Sequence, residues 1–101
     1  MKNPIITEDQ LDLMHIIQLD TNASQRQIAK KTGLSIGKVN YCLKALIRIG
    51  FVKVGNFTKS NKKLNYAYIL TAKGMQEKAA VTSQFIIKKK QEYDKLNSYM
   101  D

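Results

Sequence analysis

The sequence predicts a mainly α fold with a small β-hairpin (α+β), followed by a long C-terminal helix. Three observations carry this. Apolar residues recur at helical spacing in segments opened by Ser or Thr. The period then changes once, to two runs of strand formers. After residue 71, spacings of four and three return. A chain of 101 residues with 44% hydrophobic content suits one globular unit. Residues 1–74 form its compact part, and residues 75–101 form the C-terminal helix.

Thr7 and Gln10 make a capping box, in which the hydroxyl accepts an amide of the first turn and the Gln reaches back to the cap. A helix over 8–19 follows, with Glu8 and Asp9 in the first turn, where the helix dipole favours acid. Leu13, Met14 and Ile17 are its core residues, with Ile16 partly buried. Ser24 and Gln27 form a second box and open a short helix over 25–32, stopped by Gly33. Ser35 caps a third helix over 36–49, in which Val39, Leu43 and Leu46 share one face and Ile36 and Ile47 flank it. Residues 51–57 and 64–70 are rich in strand formers and pair as an antiparallel hairpin around a polar basic loop, 58–63. Thr71 caps the last helix, which runs to about Met100. Gly74, early in that helix, costs it about 1 kcal/mol in propensity.

Charge is distributed unevenly. Residues 21–76 contain no Asp or Glu but eleven Lys or Arg, within a formal net charge of +9. Such a one-sign field selects polyanions. No apolar run approaches the roughly 20 residues of a membrane span, and the N-terminus lacks the layout of a signal peptide. The single Cys permits no intrachain disulfide and fits a reducing cytoplasm. Cys42 is expected to be a small buried thiol. One His, His15, builds no metal site with a distant Cys. No nucleophile–base pair or phosphate-cradling Gly loop is present, so neither enzyme activity nor a cofactor is expected.

Two capped helices separated only by Gly33 and Leu34, the second longer than the first, have the layout of a helix-turn-helix. With the basic hairpin next in line, the order resembles the winged helix-turn-helix fold. The likeness reaches individual residues. Ser24, Ile28, Ala29, Gly33, Leu34, Ser35, Leu46, Gly50, Phe51 and Val52 match the core pattern of MarR-type bacterial transcriptional regulators. Leu70-Thr71-Ala72-Lys73-Gly74 matches the Leu-Thr-x-Lys-Gly that opens their helix after the wing. The similarity covers about residues 8–80. The wording of residues 34–46 also resembles a compact subgroup associated with exopolysaccharide (EPS) gene clusters. The chain departs from full-length members in lacking the extra helices of their dimer interface and ligand pocket. It also carries Lys59, Lys62 and Lys63 where the wing usually has an Asp-x-Arg pair. A small-molecule effector and family-style wing contacts therefore lie outside what the resemblance implies.

On this reading the protein is a sequence-specific regulator that binds double-stranded DNA. Recognition helices read base edges in the major groove with residues near their N-terminus. With the apolar face inward, Ser35, Gly37, Lys38, Asn40, Tyr41 and Lys44 are the base-reading candidates. Lys38 suits guanine O6 and N7, Asn40 suits adenine, and Gly37 permits close backbone approach. Ser24, Gln25 and Arg26, at the preceding helix N-terminus, and Lys59, Asn61, Lys62 and Lys63, in the wing, are the backbone candidates. Lys88, Lys89 and Lys90 read as a solvated helix face. Heptad-like spacing through Ala79, Ile86, Tyr93, Leu96 and Met100 points to a homodimer formed by the C-terminal helix. Two other readings stay open: a winged-helix protein–protein interaction module, and an RNA-binding module using Tyr66 and Tyr68.

Overall fold

The computed structural model describes the backbone of residues 6–60 and 63–100, and the side chains of residues 6–55 and 67–100. Its elements are α1 (Glu8–Leu19), α2 (Gln25–Thr32), α3 (Ile36–Arg48), β1 (Val52–Ser60), β2 (Lys63–Leu70) and α4 (Ala72–Ser98). The first two helices have the expected bounds, and both capping boxes form. Thr7 Oγ1 accepts from the Gln10 amide while the Thr7 amide donates to Gln10 Oε1. Ser24 and Gln27 repeat the arrangement.

Each of these caps is preceded by a buried apolar residue, Ile6 and Ala23. The fourth helical residues, Leu11 and Ile28, lie against the same core. These are the positions of a hydrophobic staple, which fixes the angle at which the chain enters a helix.

The core lies where α1, α2, α3, the base of the hairpin and the first half of α4 meet. Leu13, Met14, Ile17, Ile28, Val39 and Leu46 are fully enclosed, and Val52, Leu70 and Val81 close the remaining sides. Ile36 and Ile47, at the flanks of this face, are partly exposed, at 48% and 37%. Cys42 is 2% exposed, as expected of a packing thiol.

The turn between α3 and the hairpin is a Schellman motif. Gly50, at φ 84°, donates its amide to Ile47 O at 3.1 Å, and the Phe51 amide donates to Leu46 O at 3.0 Å. Leu46 and Phe51, the residues that such a motif brings together, are both buried. This motif ends α3 at Arg48 rather than Ile49 and takes Phe51 out of the strand.

The hairpin is longer than expected. Pairing extends through Ser60 opposite Lys63, so Thr58, Lys59, Ser60 and Lys63 lie in strands and not in a six-residue loop. Once the inner pairs Val52–Leu70 and Val54–Tyr68 are in place, ladder hydrogen bonds carry these polar residues without any apolar alternation. The register shifts between Gly55 and Thr58, so Asn56 and Phe57 face Tyr66 alone. Such a bulge bends the outer hairpin.

A second joint links the hairpin to α4. Thr71 Oγ1 donates to Gly50 O at 2.6 Å and accepts from the Gly74 amide at 3.0 Å, while the Thr71 amide donates to Phe51 O at 3.0 Å. Lys73 Nζ donates to Ile49 O at 3.3 Å, a cation at the negative end of α3, and lies 5.5 Å from the Phe51 ring centroid. Gly74 is buried, and a Cβ there would collide with the carbonyl oxygen of Phe51. Its lack of a side chain is therefore a packing requirement, not merely a propensity cost. The Leu-Thr-x-Lys-Gly segment is the buckle that holds the end of α3 against the start of α4.

Candidate nucleic-acid interface

The N-termini of α2 and α3 carry no acid in their first turns, whereas α1 carries Glu8 and Asp9. The free amides of α2 and α3 therefore keep their partial positive charge. Basic side chains surround them: Arg26, Lys30, Lys38 and Lys44 are exposed. Among the described residues, only Lys31 in residues 21–76 pairs with an acid, at 3.8 Å from Asp20, and both partners are well exposed. Lys73 is the exception within the basic block, because its charge is turned inward onto α3.

The cap of α3 differs from the other two. Ser35 Oγ accepts from the Lys38 amide at 3.0 Å, as the pattern requires. The position that holds Gln10 in α1 and Gln27 in α2 is Lys38 here, so no side chain folds back over the cap. Lys38 faces outward instead, 5.9 Å from the Tyr41 ring centroid, and Tyr41 itself is 68% exposed. Ser35, Gly37, Lys38, Tyr41 and Lys44 thus share one exposed surface. Nothing stands within 4 Å of the space a Gly37 Cβ would fill, so the backbone is open to approach at that point.

Asn40 departs from the expected outward set. It is half-buried, and its Nδ2 donates to Gln25 Oε1 at 3.3 Å. Gln25 Nε2 in turn donates to the Tyr68 hydroxyl at 3.0 Å. Gln25 is half-buried too and links α2, α3 and the hairpin, whereas Ser24 and Arg26 beside it are exposed. The involvement of Tyr68 was not read from the sequence, where it figured only as an alternative stacking residue. No local signal joins residues 25, 40 and 68.

Of the wing residues, Lys59 and Lys63 have their backbone on the outer strands. Asn61 and Lys62, like the side chains of Lys59, Lys63 and Tyr66, lie outside the described residues. Burial raises the pKa of Cys42, with the nearby Lys38 opposing the shift, so the thiol stays protonated at neutral pH.

Beyond Phe85, which packs against the core, α4 leaves the domain. Residues 86–100 are all exposed, including Ile86 at 62%, Tyr93 at 67%, Leu96 at 63% and Met100 at 84%; Ala79 is exposed as well. Among the described residues one ion pair ties this stretch back: Lys89 Nζ lies 3.1 Å from Glu8 Oε1, and that hydrogen bond raises the lysine pKa. No helix among the described residues is long and apolar enough to cross a membrane.

Residues 9–53 match the family model described as winged helix-turn-helix DNA-binding. No curated protein matches the chain in sequence. A mutant of MepR from Staphylococcus aureus superposes with a TM-score of 0.71 at 20% identity, over 89% of this chain and 66% of that one. A MarR/EmrR family transcriptional regulator from Acinetobacter sp. ADP1 gives 0.65 at 25% identity, over 87% and 60%. Streptococcus pneumoniae FabT, solved in complex with DNA, gives 0.65 at 17% identity, over 89% and 62%. The chain thus spans less than two thirds of the length of each. From its cap-to-cap helix pair, its bulged hairpin and these superpositions, the protein has the winged helix-turn-helix fold, of the kind seen in MarR-family regulators, with the DNA-binding pattern over residues 9–53.

Proposed function

We propose that the protein is a sequence-specific transcriptional regulator that binds double-stranded DNA. The observation that carries this is the N-terminal half of α3. Its outward face is acid-free and exposed, carries Lys38 and Tyr41 with Lys44 one turn further on, and is followed by a hairpin whose tip is basic. An α-helix of this kind enters a major groove with its first turns against base edges. Ser35, Gly37, Lys38, Asn40, Tyr41 and Lys44 then read sequence. Ser24, Gln25, Arg26, Lys59, Asn61, Lys62 and Lys63 serve the phosphate backbone. DNA-bound FabT, which shares the fold, supports the reading.

The protein acts as a homodimer in the cytoplasm, with residues 1–74 on DNA and α4 as the dimer element. The free apolar residues Ile86, Tyr93, Leu96 and Met100, together with Ala79, support this pairing. Two copies of α3 would then meet half-sites about one helical turn, or a multiple of it, apart. The wording of residues 34–46 resembles a compact subgroup associated with exopolysaccharide gene clusters.

Gel shifts over a salt series test the reading. Binding to random duplex should weaken steeply with salt, and Lys38→Ala should relax sequence preference as well as affinity. Charge removal at Lys62 or Lys63 should flatten the log–log salt slope by about 0.9 per lost phosphate contact. No salt-sensitive binding to duplex at low salt would refute it and favour docking to a protein partner.

A further inference from the structure

A base-reading asparagine must present its carbonyl oxygen and one N–H in a fixed order, because adenine offers a donor at N6 and an acceptor at N7. An amide free to turn over presents the reverse order equally well. In this protein the Asn40 amide is not free. Its Nδ2 donates to Gln25 Oε1 at 3.3 Å, and Gln25 Nε2 donates to the Tyr68 hydroxyl at 3.0 Å. Tyr68 is 8% exposed, and its backbone amide donates to Thr21 O at 3.2 Å, so the residue at the end of the chain is fixed in place. In this arrangement the hydroxyl oxygen accepts from Gln25, the Gln25 oxygen faces Asn40, and the Asn40 nitrogen turns inward. One N–H and both lone pairs of Oδ1 stay uncommitted.

We propose that Tyr68 and Gln25 are positioning residues for base selection, which set the orientation of the Asn40 amide at the DNA surface. A strand of the wing then shapes sequence preference through α2, without Tyr68 itself touching a base. The proposal rests on the recognition-helix reading above. It also changes the part assigned to Gln25, from holding a phosphate to orienting a reader. Removing the Tyr68 hydroxyl takes away the bond that anchors Gln25, and through it the support of the Asn40 amide. The expected loss is confined to one base pair in each half-site.

The test is selection of bound sequences from a randomised duplex library by four proteins: wild type, Asn40→Ala, Tyr68→Phe and Gln25→Met. Melting curves confirm that each variant is folded. Asn40→Ala identifies the base pair concerned. Tyr68→Phe and Gln25→Met should lower preference at that same base pair by roughly threefold to tenfold, the range of one hydrogen bond. In Tyr68→Phe, preference elsewhere and the salt slope should not change. If Tyr68→Phe does not fold, Gln25→Met, at a half-buried position, decides the matter. Full preference in both variants at the base pair that Asn40→Ala weakens would overturn the positioning role and leave the recognition helix intact. An Asn40→Ala profile identical to wild type would overturn both the positioning role and Asn40 as a reader.

Discussion

Two glycines lie in the first turns of helices, and alanine should act on them in opposite directions. At Gly74 an added Cβ meets the carbonyl oxygen of Phe51, with the carbonyl carbon at 3.0 Å and Cα at 3.1 Å. These are backbone atoms, and Phe51 O already accepts from the Thr71 amide. Relief therefore means moving α4 away from the end of α3. Helix propensity alone favours alanine by about 1 kcal/mol. Overpacking costs about 1–3 kcal/mol, and weakening the two Thr71 bonds to the turn adds about 1 kcal/mol each. The net expectation is destabilisation by about 2–4 kcal/mol. With an unfolding entropy near 2.1 cal/mol/K per residue, that is a fall of roughly 10–20 °C in melting temperature. At Gly37 the same substitution meets open space. It should raise stability by a few tenths to about 1 kcal/mol, yet weaken duplex binding by holding the groove away from the backbone. Thermal unfolding followed by circular dichroism, at one fixed protein concentration because oligomers melt in a concentration-dependent way, measures both. Gly74→Ala melting at or above wild type would refute the buckle. Gly37→Ala binding DNA like wild type would refute close approach at that residue.

Other substitutions separate stability from binding in the same manner. Lys38→Gln restores the capping-box residue that α1 and α2 possess, so it should gain a few tenths of a kcal/mol in thermal unfolding while losing duplex affinity in gel shifts. Truncation after Lys90 keeps Val81, Phe85 and the Lys89–Glu8 pair but removes Tyr93, Leu96 and Met100. Sedimentation should then report a folded monomer, and a dimer would show that residues 91–101 do not hold the interface. Cys42, buried and with a raised pKa, should react with a thiol reagent only after denaturation, and rapid labelling of the native protein would show that α3 opens.

Local rules located α1, α2 and α4 because each opens on Ser or Thr bonded three residues on, a signal contained in four consecutive residues. The burial of Val39, Leu43 and Leu46 followed from helical period alone. Ile6 and Ala23 were missed as core residues because each stands apart from any periodic run. The staple rule, applied one residue before each cap, would have found both. The length of the hairpin was hidden because Thr58, Lys59 and Ser60 look like loop residues until a partner strand supplies their hydrogen bonds. Asn40 follows Val39 on α3 and reads as a surface residue. Its half-burial depends on Gln25, fifteen residues away, and on Tyr68, forty-three from Gln25. Gly74 shows the same limit from the other side, since its local cost is plain in sequence and its reason is a backbone met only in three dimensions.

The buckle at Thr71 and Gly74 also bears on what the proposed dimer can tolerate in its target. Because α3 ends and α4 begins in backbone contact, no hinge separates the reading element from the pairing element. The two copies of α3 are then held like the points of fixed callipers, their span set by the angle frozen at Gly74. DNA of this length is itself stiff, with a persistence length of about 150 base pairs. Yielding to a mismatch in span then costs energy in both bodies. A base pair inserted between half-sites, with every contacted base left unchanged, should therefore be punished as heavily as a wrong base.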